Sequence, residues 1–216
     1  MNEPDVAPSI EGKKVTPPLP ASGCGCILFL AAMLALIIGI NLYQFLQIPQ
    51  KVEQKANQAL CSMVGEAVEQ FHKKNSRLPL PSGPPPQGGD RDTDTATTHG
   101  FIAVLLGHET ERGSPQNPNR TNFLEWIKPA KPKPSDESPW RSGIVDDPVK
   151  GAYGIVDSYG KPFRIRLDAN GDKQVANPDP DEVAEGRPTL SKRVIVWGAG
   201  KDGKWETWDD NPKSWE

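Results

Sequence analysis

Carboxylates cluster in two glycine-containing loops near the C-terminus, and oxygen-rich loops of this kind suit hard cations such as calcium. The first loop, Asp168-x-Asn170-x-Asp172, begins like an EF-hand calcium loop. Lys173 stands where that loop needs glycine, and no glutamate occupies its last position. A hairpin turn that uses Asn170 and Gly171 for left-handed conformations explains the same residues without a metal. Both interpretations remain open.

The second loop, residues 198–210, follows a short apolar run with the pattern of a buried strand. Asp202 and the adjacent pair Asp209-Asp210 mark the ends of its glycine-containing part. Neighbouring carboxylates repel each other unless a cation or hydrogen-bond donors compensate, and a cation would also close the loop. We therefore predict a metal site here.

Other chemistry is poorly supported by the sequence. No Ser/His/Asp or Cys/His arrangement is evident, and the three histidines all lie outside the aspartate-rich half. The formal net charge of -3 gives no sign of a nucleic-acid-binding surface. We expect a protein that is not an enzyme, with neither a nucleic-acid partner nor a small-molecule substrate.

An uncharged apolar stretch from Cys26 to Ile48 precedes these loops, and no charged residue occurs between Lys14 and Lys51. A bilayer core of about 30 Å needs roughly 20 mostly apolar residues in a helix. The stretch therefore predicts one transmembrane helix. A buried core helix is the alternative.

The helical pattern continues to about residue 74 and ends near Asn75, before Pro79. Apolar side chains recur there at steps of three and four, which predicts a stalk helix with one apolar stripe. The stripe consists of Val52, Ala56, Ala59, Leu60, Met63, Ala67 and Phe71.

These patterns predict an α+β fold, in which a long transmembrane-plus-stalk helix precedes a small antiparallel β-sheet domain. Phe163–Leu167, for example, alternates between apolar and charged residues as a half-buried strand does. The expected segments are a disordered tail over 1–25, the transmembrane helix over 26–48, the stalk helix over 49–75, a loop-rich region with short helices over 76–142, and the antiparallel sheet with its calcium-type loop over 143–216.

The C-terminal half resembles the major pseudopilin of type II secretion systems and its pilin-like relatives. Val156–Phe163 is similar to the family's DPWGNPY segment. Val196–Gly203, with Thr207–Asp210 and Ser214-Trp215, is similar to the closing S-x-G-x-DG…DD-I-x-x-W loop. The helix exit Asn75–Pro79 resembles the family's NGRYP.

The resemblance implies a pilin-like fold and a structural calcium ion in the closing loop. Asp202 and Asp210 would supply side-chain ligands, Asp209 would be an alternate or outer ligand, and Ala199 would supply a backbone carbonyl. The resemblance departs at the N-terminus, where Leu30 replaces the glutamate of the family's prepilin signal.

The expected function is that of a membrane-anchored, pseudopilin-like structural component of a type II secretion or related pilus-like system. Its partners would be the membrane and other pilin-like subunits or secretion-machinery proteins. The resemblance places it as a single-pass protein of the bacterial cytoplasmic (inner) membrane, with its C-terminal domain in the periplasm. The alternative is a stand-alone anchored extracytoplasmic binding domain, in which Trp205 and Trp208 contact a ligand or polysaccharide.

Overall fold

The computed structural model describes residues 23–80, 89–98, 100–108, 116–132, 140–147, 149 and 152–215, without the side chains of 23–28 and 44–49. Two compact units divide the chain, Met1–Gln47 and Ile48–Glu216. Most of the expected tail over 1–25 lies outside the described residues.

Helix α1 spans Gly23–Asn75. In the first unit, the described side chains from Phe29 to Tyr43 are all exposed. Among the described residues, no helix is both long and apolar enough to cross a membrane. The predicted transmembrane helix over 26–48, and with it the predicted transmembrane-plus-stalk fold class, is therefore wrong.

In the second unit, α1 buries a stripe formed by Cys61, Val64, Val68 and Phe71 at steps of three and four. Of the predicted stripe, Ala67 and Phe71 are buried, whereas Val52 and Met63 are exposed. The buried stripe therefore overlaps the predicted one only near its C-terminal end. Apolar residues occupy two adjacent faces of the helix, and periodicity alone does not decide which face meets the core.

In the part of the chain that the structure describes, strands of two to five residues form four small antiparallel sheets. The largest contains β1 (Arg91–Asp94), β6 (Arg164–Leu167) and β9 (Val194–Trp197), with β6 in the middle. The other pairs are β2 (Lys131–Pro132) with β3 (Trp140–Arg141), β4 (Gly143–Asp147) with β5 (Ala152–Val156), and β7 (Val175–Ala176) with β8 (Thr189–Leu190).

The single predicted sheet is thus replaced by several, because proline- and glycine-rich connections interrupt the strands. Two short helices accompany them, α2 (Phe101–Leu106) and α3 (Pro180–Ala184). Helices together with small antiparallel sheets are consistent with an α+β class.

The three-stranded sheet has two different faces, since successive side chains of a strand point to opposite sides. Ile165, Leu167 and Val196 pack in the main core with the buried stripe of α1 and with α2. On the other face, Ile195 and Trp197 belong to a second cluster with three further tryptophans, Trp205, Trp208 and Trp215.

Candidate functional site

The closing loop, residues 198–211, begins where β9 ends and returns to that strand. Gly198 N donates a hydrogen bond to Pro212 O at 3.0 Å. Trp197 and Lys213 form an antiparallel bridge just outside it. Both ends of the loop are therefore fixed to β9, and only the residues between them need further stabilisation.

Gly200 allows two side-chain oxygens to approach the backbone closely. Its φ of +61° lies in the left-handed region that favours glycine. A Cβ on Gly200 would lie 2.5 Å from Asp210 Oδ1 and 2.7 Å from Asn211 Oδ1. Asp210 Oδ2 meanwhile accepts a hydrogen bond from Lys201 N at 2.8 Å. Two acceptor oxygens thus converge on a point that only glycine leaves open.

The Asn211 side chain is buried but only partly hydrogen-bonded. It is 5% exposed, and its Nδ2 donates to Trp205 O at 3.3 Å. Its Oδ1 is buried and accepts no hydrogen bond from the described residues. A buried acceptor without a partner costs about 1–3 kcal/mol. A cation or another electron-poor group would therefore supply the partner that this oxygen lacks.

Asp202 is exposed, and both of its carboxylate oxygens are engaged in a local turn. Oδ1 accepts from Lys204 N at 2.8 Å, and Oδ2 accepts from Thr207 Oγ1 at 2.7 Å. The bond from Thr207, followed by that from Lys204, lowers the pKa of Asp202 below its ordinary value.

The residues predicted to bind a metal therefore have different surroundings. Asp210 approaches Gly200 beside Asn211, whereas Asp202 stabilises its own turn and Asp209 is exposed. Ala199 is fully buried within the loop. Asn211 was not predicted, although an amide directly after two aspartates was visible in the sequence and is a common oxygen ligand of calcium.

The oxygen chemistry of the closing loop fits a calcium ion. A carboxylate from Asp210, an amide oxygen from Asn211 and a carbonyl from Ala199 are all ligand types that calcium accepts. A cavity of about 90 Å³ lies beside Asp210 and is also lined by Gln50 and Gln54. In the described parts of the chain, no group of three or more His, Cys, Asp or Glu residues could hold a metal. An ion here would depend on amide and backbone oxygens as well.

Helix α1 positions the residues that follow the closing loop. Gln58 Oε1 accepts from Lys213 N at 2.9 Å, and Gln58 Nε2 donates to Lys213 O. Burial, followed by the charge of Asp157, raises the pKa of the Cys61 thiol well above its ordinary value. The protonated thiol donates to Pro212 O at 3.6 Å.

A buried ion cluster joins Lys213 to α3. Its Nζ lies 2.7 Å from Asp179 Oδ2 and 3.4 Å from Glu182 Oε1, to which Trp215 Nε1 also donates at 3.3 Å. Burial opposes ionisation of both carboxyls, but hydrogen bonds that include those from Lys213 outweigh it. The pKa values of Asp179 and Glu182 are therefore lowered.

The first aspartate loop forms a turn in which the backbone satisfies the buried carboxylate. Asp168 Oδ1 accepts from Gly171 N at 2.7 Å, and Oδ2 accepts from Lys173 N at 2.8 Å. Lys173 has a φ of +63°, in the left-handed region. These contacts explain the loop as a structural turn.

Asp157 is a buried carboxylate of a different kind. Oδ1 accepts from the backbone N–H groups of Tyr159 and Lys161 at 2.8 Å each. Oδ2 is buried and accepts no hydrogen bond from the described residues. Burial raises the pKa of Asp157 to about 6, although the backbone donors and the charge of Arg141 oppose it.

A groove of about 820 Å³ lies over the tryptophan-bearing face of the three-stranded sheet. Arg164 and Arg166 of β6 line it together with Trp197 of β9, and the closing loop contributes Trp205 and Trp208. In the alternative function, Trp205 and Trp208 are predicted to contact a ligand, but their position beside the arginines of β6 is not evident from the sequence.

Comparisons of the whole chain with protein-family models, curated proteins and solved structures found no match.

Proposed function

We propose that this protein is a pilin-like structural subunit without enzymatic activity, and that a calcium ion stabilises its closing loop. The convergence of Asp210 Oδ1 with the buried, unpartnered Asn211 Oδ1 at Gly200 carries the calcium part of the proposal. The order of pseudopilin-like segments along the sequence supports the structural role.

In this proposal, Asp210, Asn211 and the Ala199 carbonyl are the ligands, and Asp202 supports the loop beside them. Bound calcium would be the positively charged partner of these acceptor oxygens. Because both ends of the loop are attached to β9, the ion would stabilise the loop without altering the sheet. Its role is structural.

The partners in this proposal are other pilin-like subunits or components of a secretion machinery outside the cytoplasm. The apolar side chains that α1 exposes between Phe29 and Tyr43 support an assembly role. Exposed apolar surface of this extent marks an interaction site.

Thermal unfolding of the full-length chain in chelator and in calcium tests the metal site. At a calcium concentration 100 times Kd, binding stabilises the fold by about 2.7 kcal/mol, which is roughly 5–10 °C in Tm for a protein of this size. Asp210→Asn and Asn211→Leu should each reduce this shift, whereas Asp172→Asn in the other aspartate loop should retain it. Equal Tm values for the unaltered chain in chelator and calcium would contradict the metal site.

The pilin-like role is tested separately by the N-terminus of the protein purified from its native cells. A chain that begins at Cys26 would indicate cleavage by a prepilin-type peptidase despite Leu30. A chain that still begins at Met1 would argue against pilin-type processing, whatever the calcium result.

A stand-alone binding domain is the second candidate function, and the groove over β6 and β9 favours it. Neighbouring genes for a secretion ATPase and a prepilin peptidase would support the pilin-like role over this one.

A further inference from the structure

The groove over the three-stranded sheet combines aromatic and charged side chains on one surface. The register places Asp94, Arg164 and Trp197 side by side across β1, β6 and β9, with Asp92 and Arg166 in the adjacent row. Directly opposed residues of antiparallel strands share a face. The face that does not pack on α1 is therefore a broad polar surface with tryptophan at one side.

The two arginines of β6 differ in whether their charge is neutralised. Arg166 Nε and Nη2 donate to the two oxygens of Asp92 at 2.6 and 2.8 Å, and its Nη1 donates to Ala176 O at 3.0 Å. The Arg164 guanidinium forms no hydrogen bond or ion pair with other described residues. Its guanidinium lies 4.5 Å from the centre of the Trp205 ring. Stacking fixes the plane of this guanidinium and leaves its donors available.

Trp205 contributes the face of its ring to the groove. The side chain is half-buried, and its Nε1 is shielded from solvent without an acceptor among the described residues. Trp208 lies 6.4 Å from Trp197 between ring centres, so a further indole continues the surface. Indoles of this kind present an apolar face and one N–H donor.

We propose that this groove binds an acidic oligosaccharide, with a sugar ring against the Trp205–Trp208 surface and a sugar carboxylate on Arg164. The volume of about 820 Å³ lies within the range of about 300–1,000 Å³ typical of ligand sites. Flat sugar faces carry C–H groups that pack on indole, while their hydroxyls both donate and accept. Glu206, which is exposed at the groove, can accept from such hydroxyls.

The charges of the groove favour an acidic sugar over other extended ligands. A proline-rich peptide offers carbonyl oxygens to Arg164 but no N–H groups to Glu206, so that carboxylate would lose water without gaining a donor. A nucleic acid would bring a phosphate at every nucleotide against Asp92 and Glu206, and that contact is repulsive. An oligosaccharide with one carboxylate brings a single negative charge. An acidic sugar pairs its carboxylate with Arg164 and its hydroxyls with the carboxylates of the groove. This ligand depends on neither the calcium ion nor a pilin-like assembly.

Calorimetric titration of the full-length chain in a polyoxyethylene detergent tests the proposal, since this detergent has no sugar headgroup. The probes are a trisaccharide with one glucuronic acid and two neutral sugars, and the methyl ester of the same trisaccharide, each titrated in chelator. We expect saturable binding of the acid, and at least about tenfold weaker binding of the ester, because a charge-assisted bidentate contact is lost. Equal affinities, or no saturable binding of the acid, would overturn the proposal.

Variants assign the binding to the groove. Arg164→Gln should make the acid and the ester bind alike, and Trp205→Phe should weaken both because the smaller ring offers less surface to a sugar. Arg120→Gln and Trp126→Phe alter exposed residues elsewhere and should leave both affinities unchanged. Decaproline that binds more tightly than the acidic trisaccharide, with binding lost in Trp205→Phe, would assign the groove to peptides and overturn the sugar proposal.

Discussion

Gly200 determines how closely the oxygens of Asp210 and Asn211 can approach the backbone. We predict that Gly200→Ala lowers the free energy of unfolding by about 2–3 kcal/mol, from left-handed strain and displacement of Asp210. Gly171→Ala is the matched control, since its φ is +81° and a Cβ there meets nothing within 4 Å. The control should lose only about 1 kcal/mol in urea unfolding. Equal losses would show that crowding at Asp210 is unimportant.

Asp157 predicts a pH dependence of stability with a definite sign. Its folded pKa of about 6 lies above its ordinary value of 3.8, so the fold favours the protonated form. The resulting stabilisation is fully present below about pH 3.8 and is lost as the pH rises through about 6. The loss amounts to about 3 kcal/mol.

Urea unfolding between about pH 4 and 7 compares the unaltered chain with Asp157→Asn, which cannot ionise. The stability of the variant relative to the unaltered chain should rise with pH over this range. Subtracting the two curves removes the contributions of other carboxyls, and the exposed Asp146→Asn provides a control. A difference that does not change with pH would contradict the raised pKa.

The sequence predicted part of the candidate site at the scale of residues. Asp210 was recognisable because paired aspartates in a glycine-containing loop suggest a cation. The role of Asn211 was not recognisable, because it comes from the burial of Oδ1 beside Gly200. That burial depends on how the loop folds. The engagement of Asp202 by Thr207 likewise depends on the turn that the loop adopts.

At the scale of elements, α1 is joined to the segment after the closing loop through Gln58. We predict that Gln58→Leu costs about 2 kcal/mol, because the backbone N–H and C=O of Lys213 both lose their partner. Native-state hydrogen exchange at the Lys213 amide should accelerate. Gln70→Leu, which removes a bond to Glu66 on the same helix, should leave that amide unchanged. An unchanged exchange rate in Gln58→Leu would contradict the proposed contact.

Lys213 supplies the second element-level prediction. Lys213→Met removes the charge that compensates buried Asp179 and Glu182, and should cost about 3–5 kcal/mol. Urea unfolding near neutral pH, where both carboxyls are ionised, measures the loss. Lys192→Met is the control on an exposed lysine. A loss no greater than in the control would show that the cluster contributes little.

Strand β1 shows why some elements escape prediction. Its sequence, Arg-Asp-Thr-Asp, contains no apolar residue and was expected to be loop. It forms a strand because β6 supplies a pairing edge and Arg166 supplies a partner for Asp92. Helix α3 had a clearer signal, since Asp179 caps its first turn and Pro180 follows directly.

At the scale of the whole molecule, the two units differ in how many of their described side chains are buried. Described side chains from Phe29 to Tyr43 are exposed, whereas the second unit contains the main core and the tryptophan cluster. The uncharged run over 26–48 predicted a membrane helix. The apolar stripe that includes Val52 predicted which side of the stalk helix would be buried. Composition reports how apolar a segment is, and only packing reports which surface covers it.

The tryptophan cluster has an optical consequence. Trp208 of the closing loop lies 6.4 Å from Trp197 on β9 and 6.4 Å from Trp215 near the chain end. Indoles this close couple their electronic transitions, so their near-ultraviolet circular dichroism depends on their mutual distance and angle. A change in loop geometry would therefore alter this spectrum without an added label. The protein thus contains an intrinsic spectroscopic reporter of its closing loop.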